Sequence, residues 1–136
     1  MKLRIAILVF GLIIVSMGDV YGADWKLYNS NEQFVASHDA QSITHPSKDI
    51  VRLWTRFDYT EKGVLGWVKN LGKKYENLSY VKGLWEINCL EKMRRILSMT
   101  DYDNKGNVIH STSSPDEWKF IIPETMGESL YNEVCK

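Results

Sequence analysis

The sequence predicts an α+β domain in which an antiparallel sheet packs against a helix at the C-terminal end. Several stretches alternate apolar and polar residues, as half-buried strands do, and short turn sequences separate them. The chain of 136 residues has two cysteines, Cys89 and Cys135, and the second lies in the predicted helix. Its 17 basic and 17 acidic residues balance. Because a nucleic-acid-binding protein needs a basic surplus or patch, we expect no nucleic-acid partner.

Residues 1–22 are predicted to be a signal peptide for export. Positive residues precede an uncharged apolar run over residues 5–15, and Val20 and Gly22 suit the −3 and −1 positions of a cleavage site. The run is shorter than the roughly 20 apolar residues that a membrane helix needs, although an uncleaved anchor is the alternative. No cysteine lies near the cleavage site, so we do not expect a lipoprotein. Residues 23–136 would form a single domain with no stable transmembrane span.

The first half of this domain is predicted to contain three strands and one turn. Residues 25–28 and 33–37 are short strand candidates. Residues 44–47 are predicted to form a turn, because Pro46 lacks a backbone donor. Ile50–Tyr59 is the clearest strand of the chain, and its alternate residues are expected to face the core. These residues are Val51, Leu53, Thr55, Phe57 and Tyr59.

The opposite face of this strand carries Arg52, Trp54 and Arg56. Tryptophan and arginine are enriched among the residues that contribute most to protein–protein binding. An exposed row of these three side chains is therefore a candidate binding surface. The alternative is that Trp54 packs beneath a helix next to the strand and fills the core, as we expect of the other four tryptophans.

The hydrophobic period changes after this strand. Apolar residues recur at steps of three and four over residues 64–78, which predicts an amphipathic helix. Gly63, Gly66 and Gly72 lower the helix propensity of this segment, so we expect the helix to be short or irregular.

The next segment is predicted to return to antiparallel strands. Residues 84–90 and 93–103 are the first two of these strands. The turn sequence over residues 103–106 (DNKG) then predicts a hairpin whose partner strand covers residues 107–113. Residues 118–122 are a last short strand candidate.

The C-terminal helix has a well-defined predicted start. Thr125 and Glu128 form a capping box, in which each side chain satisfies a backbone N–H group at the helix start. Cys135 lies in the last turn and points towards the sheet, where it can reach the strand that carries Cys89. In an oxidising compartment such a pair most simply forms a structural disulfide, and two free buried thiols are the alternative. The spacing fits neither a redox motif nor a zinc cluster.

The sequence contains no pattern that predicts catalysis, a metal site or a cofactor. It lacks a GxSxG nucleophile turn, an HExxH zinc motif, a P-loop and a GxGxxG dinucleotide loop. Residues 101–106 resemble the start of a calcium loop, but Lys105 and Thr112 occupy ligand positions of that loop, the second of which needs a bidentate glutamate. The three histidines have no metal-ligand spacing. We therefore expect no catalytic residue, no metal, no cofactor and no enzymatic activity.

A series of short motifs in the C-terminal half carries a family resemblance. The motifs are residues 85–89 (WEINC), 95–98 (RILS), 102–106 (YDNKG), 113–118 (SSPDEW), 122–127 (IPETMG) and 130–135 (LYNEVC). Together they resemble the surface-adhesin protein E family over residues 85–136, with a looser likeness over residues 24–59. The resemblance implies an exported bacterial domain. Its fold would be an antiparallel sheet of about six strands, with the C-terminal helix tied to the sheet by the cysteine pair.

The resemblance also suggests a function, because the family's namesake is a surface protein that attaches to host extracellular proteins. We expect a non-enzymatic binding domain, in the periplasm or at the cell surface, that engages a protein partner through its sheet and loop surfaces. The alternative is a periplasmic carrier or sensor of a small ligand. In that case tryptophan and tyrosine side chains would line a concavity between the sheet and a helix.

Overall fold

The computed structural model describes residues 22–136, so the predicted signal peptide lies outside the described residues except for Gly22. The described residues form one antiparallel sheet and two α-helices. The strands are β1 (Trp25–Ser30), β2 (Phe34–Asp39), β3 (Thr44–Ser47), β4 (Ile50–Tyr59), β5 (Leu78–Asn88), β6 (Met93–Asp103), β7 (Val108–Thr112) and β8 (Lys119–Phe120). The helices are α1 (Glu61–Leu71) and α2 (Met126–Val134), and short 3-10 turns span Ala40–Ser42 and Lys73–Tyr75.

Six of the strands form a continuous antiparallel path in the order β1-β2-β4-β5-β6-β7. The two remaining strands are short additions, since β3 pairs only with β4 and β8 pairs only with β6. The predicted fold class, an antiparallel sheet of about six strands with a C-terminal helix, is therefore confirmed.

The core lies on one face of this sheet, which we call the inner face. In β4 the burial alternates as predicted: Val51, Leu53, Thr55 and Phe57 are buried, and their cross-strand neighbours on β5 are buried too. The buried apolar residues of the core are Ala36, Val51, Leu53, Phe57, Tyr75, Leu78, Val81, Trp85, Ile87, Ile121 and Leu130.

Both helices cover the inner face. Leu130 of α2 is fully buried in the core, and Val64, Trp67 and Val68 of α1 pack against the same cluster. The opposite face of the sheet, which we call the outer face, carries the side chains of β4 that alternate with the core residues. Among residues 22–136, no helix is long and apolar enough to cross a membrane.

The start of α1 depends on a glycine that packs against the turn between β1 and β2. The Thr60 hydroxyl caps the helix by accepting a hydrogen bond from the backbone N–H of Gly63 at 3.2 Å. Gly63 is buried, and a Cβ atom there would collide with the carbonyl oxygen of Gln33. This glycine therefore allows the first turn of the helix to pack closely against the chain before β2, and it does more than weaken the helix.

The helix predicted from the spacing of residues 64–78 is short, as its glycines led us to expect, but it ends at Leu71, so the helical interpretation of Tyr75 and Leu78 is wrong. Gly72 ends α1 with a φ of +100°, a left-handed backbone conformation that glycine adopts readily. Tyr75 and Leu78 keep the apolar spacing of the helix because both are buried in the core, but they belong to a 3-10 turn and to β5. Strand β5 consequently begins at Leu78, six residues before the predicted start.

The predicted turn over residues 44–47 is also wrong, because these residues form β3. The strand pairs with β4 at only two positions, Thr44 with Arg52 and Ser47 with Ile50, and the register shifts between them. Pro46 lies within this irregular part, so its missing N–H group interrupts no regular ladder of hydrogen bonds.

The predicted disulfide is present and attaches α2 to the sheet. Cys89 follows β5 and Cys135 follows α2, and their Cα atoms lie 5.5 Å apart. Two further contacts join the same parts of the chain: the Tyr131 hydroxyl donates to the Cys89 carbonyl at 3.1 Å, and Lys92 pairs with Glu128 at 3.0 Å. The C-terminal helix is therefore held at the β5–β6 turn by one covalent and two polar contacts.

The N-terminus of α2 is capped by the predicted pair of side chains. The Thr125 hydroxyl accepts a hydrogen bond from the backbone N–H of Glu128 at 3.4 Å. The Glu128 carboxylate accepts from the backbone N–H of Glu124 at 3.3 Å, one residue before the cap. Its hydrogen bonds with Lys92 and with that N–H hold the pKa of Glu128 below its usual range.

Candidate binding surface

The outer face of β4 carries the three residues that the sequence singles out as a candidate surface. The register places Arg52 opposite Glu86, Trp54 opposite Leu84 and Arg56 opposite Lys82 on β5. Trp54 is 39% exposed and lies on the side of the sheet away from both helices. The alternative of a core tryptophan beneath a helix is therefore wrong for Trp54.

Arg52 is fixed by a buried charge on the neighbouring strand. The Glu86 side chain is only 2% exposed, and its carboxylate accepts hydrogen bonds from Arg52 Nη2 at 2.9 Å and from Arg95 Nε at 2.8 Å. The Arg95 guanidinium in turn lies 4.7 Å from the centre of the Trp118 ring. One carboxylate thus holds two arginines in fixed orientations on the outer face.

Arg56 is fixed in a second cluster, next to Trp54 along β4. Its guanidinium pairs with Asp58 at 2.9 Å and lies 4.0 Å above the centre of the Tyr80 ring. Tyr80 stacks on Tyr102 of β6 with ring centres 4.8 Å apart. The Lys82 ammonium lies 5.7 Å from the Tyr80 ring centre. We call Arg56, Tyr80, Lys82 and Tyr102 the cation–aromatic cluster.

The sequence identifies Arg52, Trp54 and Arg56 as one row but misses the residues that orient them. Glu86 and Arg95 each lie in a predicted strand, but only the register between β5 and β6 brings them together. Tyr80 lies between the predicted helix over residues 64–78 and the predicted strand over residues 84–90, in a segment to which the sequence analysis assigns no element. The alternation of polar and apolar residues in β5 would have placed Tyr80, Lys82 and Glu86 on one face, had the strand been predicted from Leu78.

The inner face also has a concavity, between α1 and the strands β6 and β7. It is an open cleft of about 430 Å³, with Trp67, Tyr75 and Met99 among its lining residues. The Trp67 and Tyr75 rings lie 5.0 Å apart, centre to centre. A concavity lined by tryptophan and tyrosine between sheet and helix, as the small-ligand alternative requires, is therefore present.

Asp101 lies at the polar part of this cleft. Asp101 is only 5% exposed, and its carboxylate accepts a hydrogen bond from the Tyr75 hydroxyl at 2.8 Å. Burial raises the pKa of Asp101 above its usual range, and the Tyr75 hydrogen bond opposes this shift. Burial and the neighbouring carboxylate raise the pKa of Tyr75 to about 12.

The described residues offer no assembled metal centre. Among residues 22–136, no three histidine, cysteine, aspartate or glutamate side chains converge as a metal site requires. His38 is buried instead on the inner face, beside the Tyr28 ring, and burial lowers the pKa of its imidazole. Neither ring nitrogen of His38 has a hydrogen-bond partner in the described part of the chain.

The fold and the surface together define a small α+β domain of one open sheet, with both helices on one face and a single disulfide at the end of the second helix. Over residues 25–136 the chain matches the family described as Surface-adhesin protein E, and it belongs to that family.

Two solved structures of protein E from Haemophilus influenzae are similar to this chain. Crystal form II of protein E matches with a TM-score of 0.54 and 13% identity, over 84% of this chain and 95% of that chain. Protein E from non-typeable Haemophilus influenzae matches with a TM-score of 0.54 and 16% identity, over 87% of this chain and 78% of that chain. A search of curated proteins gives no match. At these identities the two structures establish a shared fold.

Proposed function

We propose that this chain is an exported, non-enzymatic binding protein that holds a protein partner on the outer face of its sheet. The observation that carries the proposal is the exposure of Trp54 on a face that neither helix covers. Tryptophan and arginine supply most of the free energy at many protein–protein contacts, and here Arg52 and Arg56 flank the tryptophan. Trp54 would form the centre of the contact.

The two arginines are already ordered before a partner arrives. Glu86 holds Arg52, and Asp58 together with the Tyr80 ring holds Arg56. Binding a flexible side chain costs conformational entropy, of the order of 1 kcal/mol for each immobilised side chain. Because that cost is largely met in folding, the outer face is well prepared to bind.

The charges of the outer face favour a partner with acidic groups around an apolar contact. Along β4, β5 and β6 this face carries four basic and two acidic residues: Arg52, Arg56, Lys82, Arg95, Asp58 and Glu86. Complementary charge on the partner would speed association and set its orientation. Membership of the surface-adhesin protein E family supports a host extracellular protein as the partner.

Export completes the proposal, with the final location in the periplasm or at the cell surface. The charged start and the apolar run of residues 1–22 support a signal peptide, and the disulfide suits an oxidising compartment. Mass spectrometry of the protein purified from a cell envelope fraction tests this step. We expect a chain that starts at residue 23, whereas a chain that retains the apolar run would contradict cleavage.

The binding surface is tested by comparing two substitutions of exposed apolar side chains. Trp54→Ala removes the proposed anchor, and Leu65→Ala is the matched control because Leu65 is 69% exposed on α1, which packs on the inner face. Binding of the labelled protein to immobilised host extracellular proteins is measured as a function of concentration. We expect Trp54→Ala to weaken saturable binding about 30-fold and Leu65→Ala to leave it unchanged. Equal binding by both variants, or no saturable binding by the unaltered protein, would refute the proposal.

A further inference from the structure

The cleft on the inner face contains a buried carboxylate that lacks a charged partner. Two carboxylates are buried among residues 22–136, those of Glu86 and Asp101. Glu86 pairs with two arginines, whereas Asp101 forms no ion pair with the described residues and accepts one hydrogen bond, from Tyr75. A buried charge is costly unless a counter-charge or several donors stabilise it. Asp101 is therefore a group that a cationic ligand would satisfy.

The walls beside Asp101 suit the apolar body of such a ligand. Trp67 and Leu71 of α1 form one wall, and Ile96 and Met99 of β6 form the other. A volume of about 430 Å³ falls within the range of small-molecule sites. The ring of Trp67 can also attract a cation through its π face. The cleft therefore combines an apolar enclosure with a buried carboxylate. The second acidic residue of its lining, Asp116, already pairs with Lys119 and accepts a hydrogen bond from the backbone N–H of Ile96.

The basic groups of the cleft do not change this preference. Lys74 and His110 also line it and face Asp101, but both residues are exposed to water, whereas Asp101 is buried. The Lys74 ammonium lies 5.2 Å from the centre of the Tyr75 ring. An exposed charge is screened by water and salt, and a buried charge acts in a lower dielectric. Asp101 should thus dominate the choice between a cation and an anion.

We propose that this cleft is a binding site for a small organic amine with an aromatic or branched apolar body. The ligand's ammonium group donates hydrogen bonds to the Asp101 carboxylate, and its apolar body packs between Trp67 and Met99. This site lies on the opposite side of the sheet from the protein-binding surface, so the two proposals can fail independently.

The test compares three probes of similar shape and different charge: 2-phenylethylamine, 2-phenylethanol and 3-phenylpropionate. The purified ¹⁵N-labelled protein is titrated with each probe to about 10 mM, a range suited to ligands of this size. The indole N–H signals of the tryptophans report the binding position. We expect the Trp67 signal to shift while the Trp54 signal stays in place. We also expect the amine to bind about tenfold more tightly than the alcohol, with the carboxylate weakest.

Three variants distinguish a site that selects ligands by charge from a nonspecific apolar surface. Asp101→Asn keeps an acceptor for Tyr75 and should weaken amine binding about tenfold without changing alcohol binding. Lys74→Gln removes an exposed positive charge and should tighten amine binding about twofold. Asp58→Asn makes the same chemical change on the outer face, and it should leave the affinity of the cleft for the amine unchanged.

Several results would overturn the proposal. They are tighter binding of 3-phenylpropionate than of the amine, unchanged amine affinity in Asp101→Asn, and the absence of any Trp67 shift with the amine. If Asp101→Asn fails to fold, Lys74→Gln still tests the proposal. A site for cations should bind the amine more tightly in that variant, whereas a site for anions would bind the amine no better and the carboxylate more weakly.

Discussion

Removal of the Cys89–Cys135 disulfide should destabilise the domain by about 4 kcal/mol. The bond joins residues that are 46 positions apart. In the chain-entropy relation, closing a loop of that length removes about 13 cal/mol/K from the unfolded chain, or about 4 kcal/mol near 25 °C. For a domain of this size a change of 1 kcal/mol moves Tm by about 4 °C, so Tm should fall by about 16 °C.

The structure also predicts where the reduced protein loosens. Without the disulfide, α2 keeps the buried Leu130, the hydrogen bond from Tyr131 to the Cys89 carbonyl and the ion pair of Lys92 with Glu128. These contacts should keep the helix near the sheet but let its last turn open more often, so the amide hydrogens there should exchange faster with solvent.

The assay is thermal unfolding, followed by circular dichroism, of the oxidised protein, the reduced protein and the double variant Cys89→Ala/Cys135→Ala. Since the chain has two cysteines, a reductant acts on this bond alone. Cys135→Ser is expected to behave like the reduced protein. A fall in Tm of less than about 4 °C, or unchanged amide exchange in α2, would refute this account of how the helix is held.

Three further predictions concern buried ionisable groups. Glu86→Ala leaves Arg52 and Arg95 without their shared partner and should lower the free energy of unfolding by about 2 kcal/mol, less than for a fully buried pair because both arginines are partly exposed. A change below about 0.5 kcal/mol in urea unfolding would contradict this. Asp101→Asn should raise Tm at neutral pH, because burial raises the pKa of Asp101 in the folded state. Asp101 therefore favours the folded state only as the pH falls through that raised pKa, and at neutral pH its charge destabilises the fold. A Tm of Asp101→Asn at neutral pH that equals or lies below the Tm of the unaltered protein would contradict this. The lowered pKa of folded His38 means that the unfolded state binds its proton first, so stability should decline as the pH falls below about 6.5. His38→Gln should flatten this decline in a series of Tm measurements, and an equally steep decline in the variant would contradict it.

Much of the fold follows from local patterns in the sequence. The alternation over Ile50–Tyr59 predicts both the bounds of β4 and its core face, because a half-buried strand needs that period. The hairpin at residues 103–106 and the start of α2 at Thr125 also follow from nearby residues, since turns and caps are satisfied within a few positions.

The errors arise where the tertiary structure overrides a local pattern. Tyr75 and Leu78 continue the helical spacing after Leu71, but Gly72 has already ended the helix. Both side chains reach the core from other elements, so their helix-like spacing in the sequence reflects burial and not a helix. Pro46 similarly argues for a turn, yet the short edge strand β3 tolerates it because few of its backbone groups pair.

The sequence predicts only part of the candidate surface, namely the part that lies within one strand. Arg52, Trp54 and Arg56 belong to one strand, so alternation alone places them together. The register between strands decides that Glu86 holds Arg52 and that Tyr80 lies beneath Arg56, and no local pattern encodes this register.

A titration followed by fluorine NMR tests the central claim that the outer face binds a protein partner through Trp54. The protein is labelled with 5-fluorotryptophan, and the signals of Trp54, Trp67 and Trp85 are assigned from single Trp→Phe variants. These three tryptophans report the outer face, the inner-face cleft and the core. When a host extracellular protein is added, the Trp54 signal should shift or broaden at lower concentrations than the other two. A change at Trp67 or Trp85 with no change at Trp54 would contradict the claim.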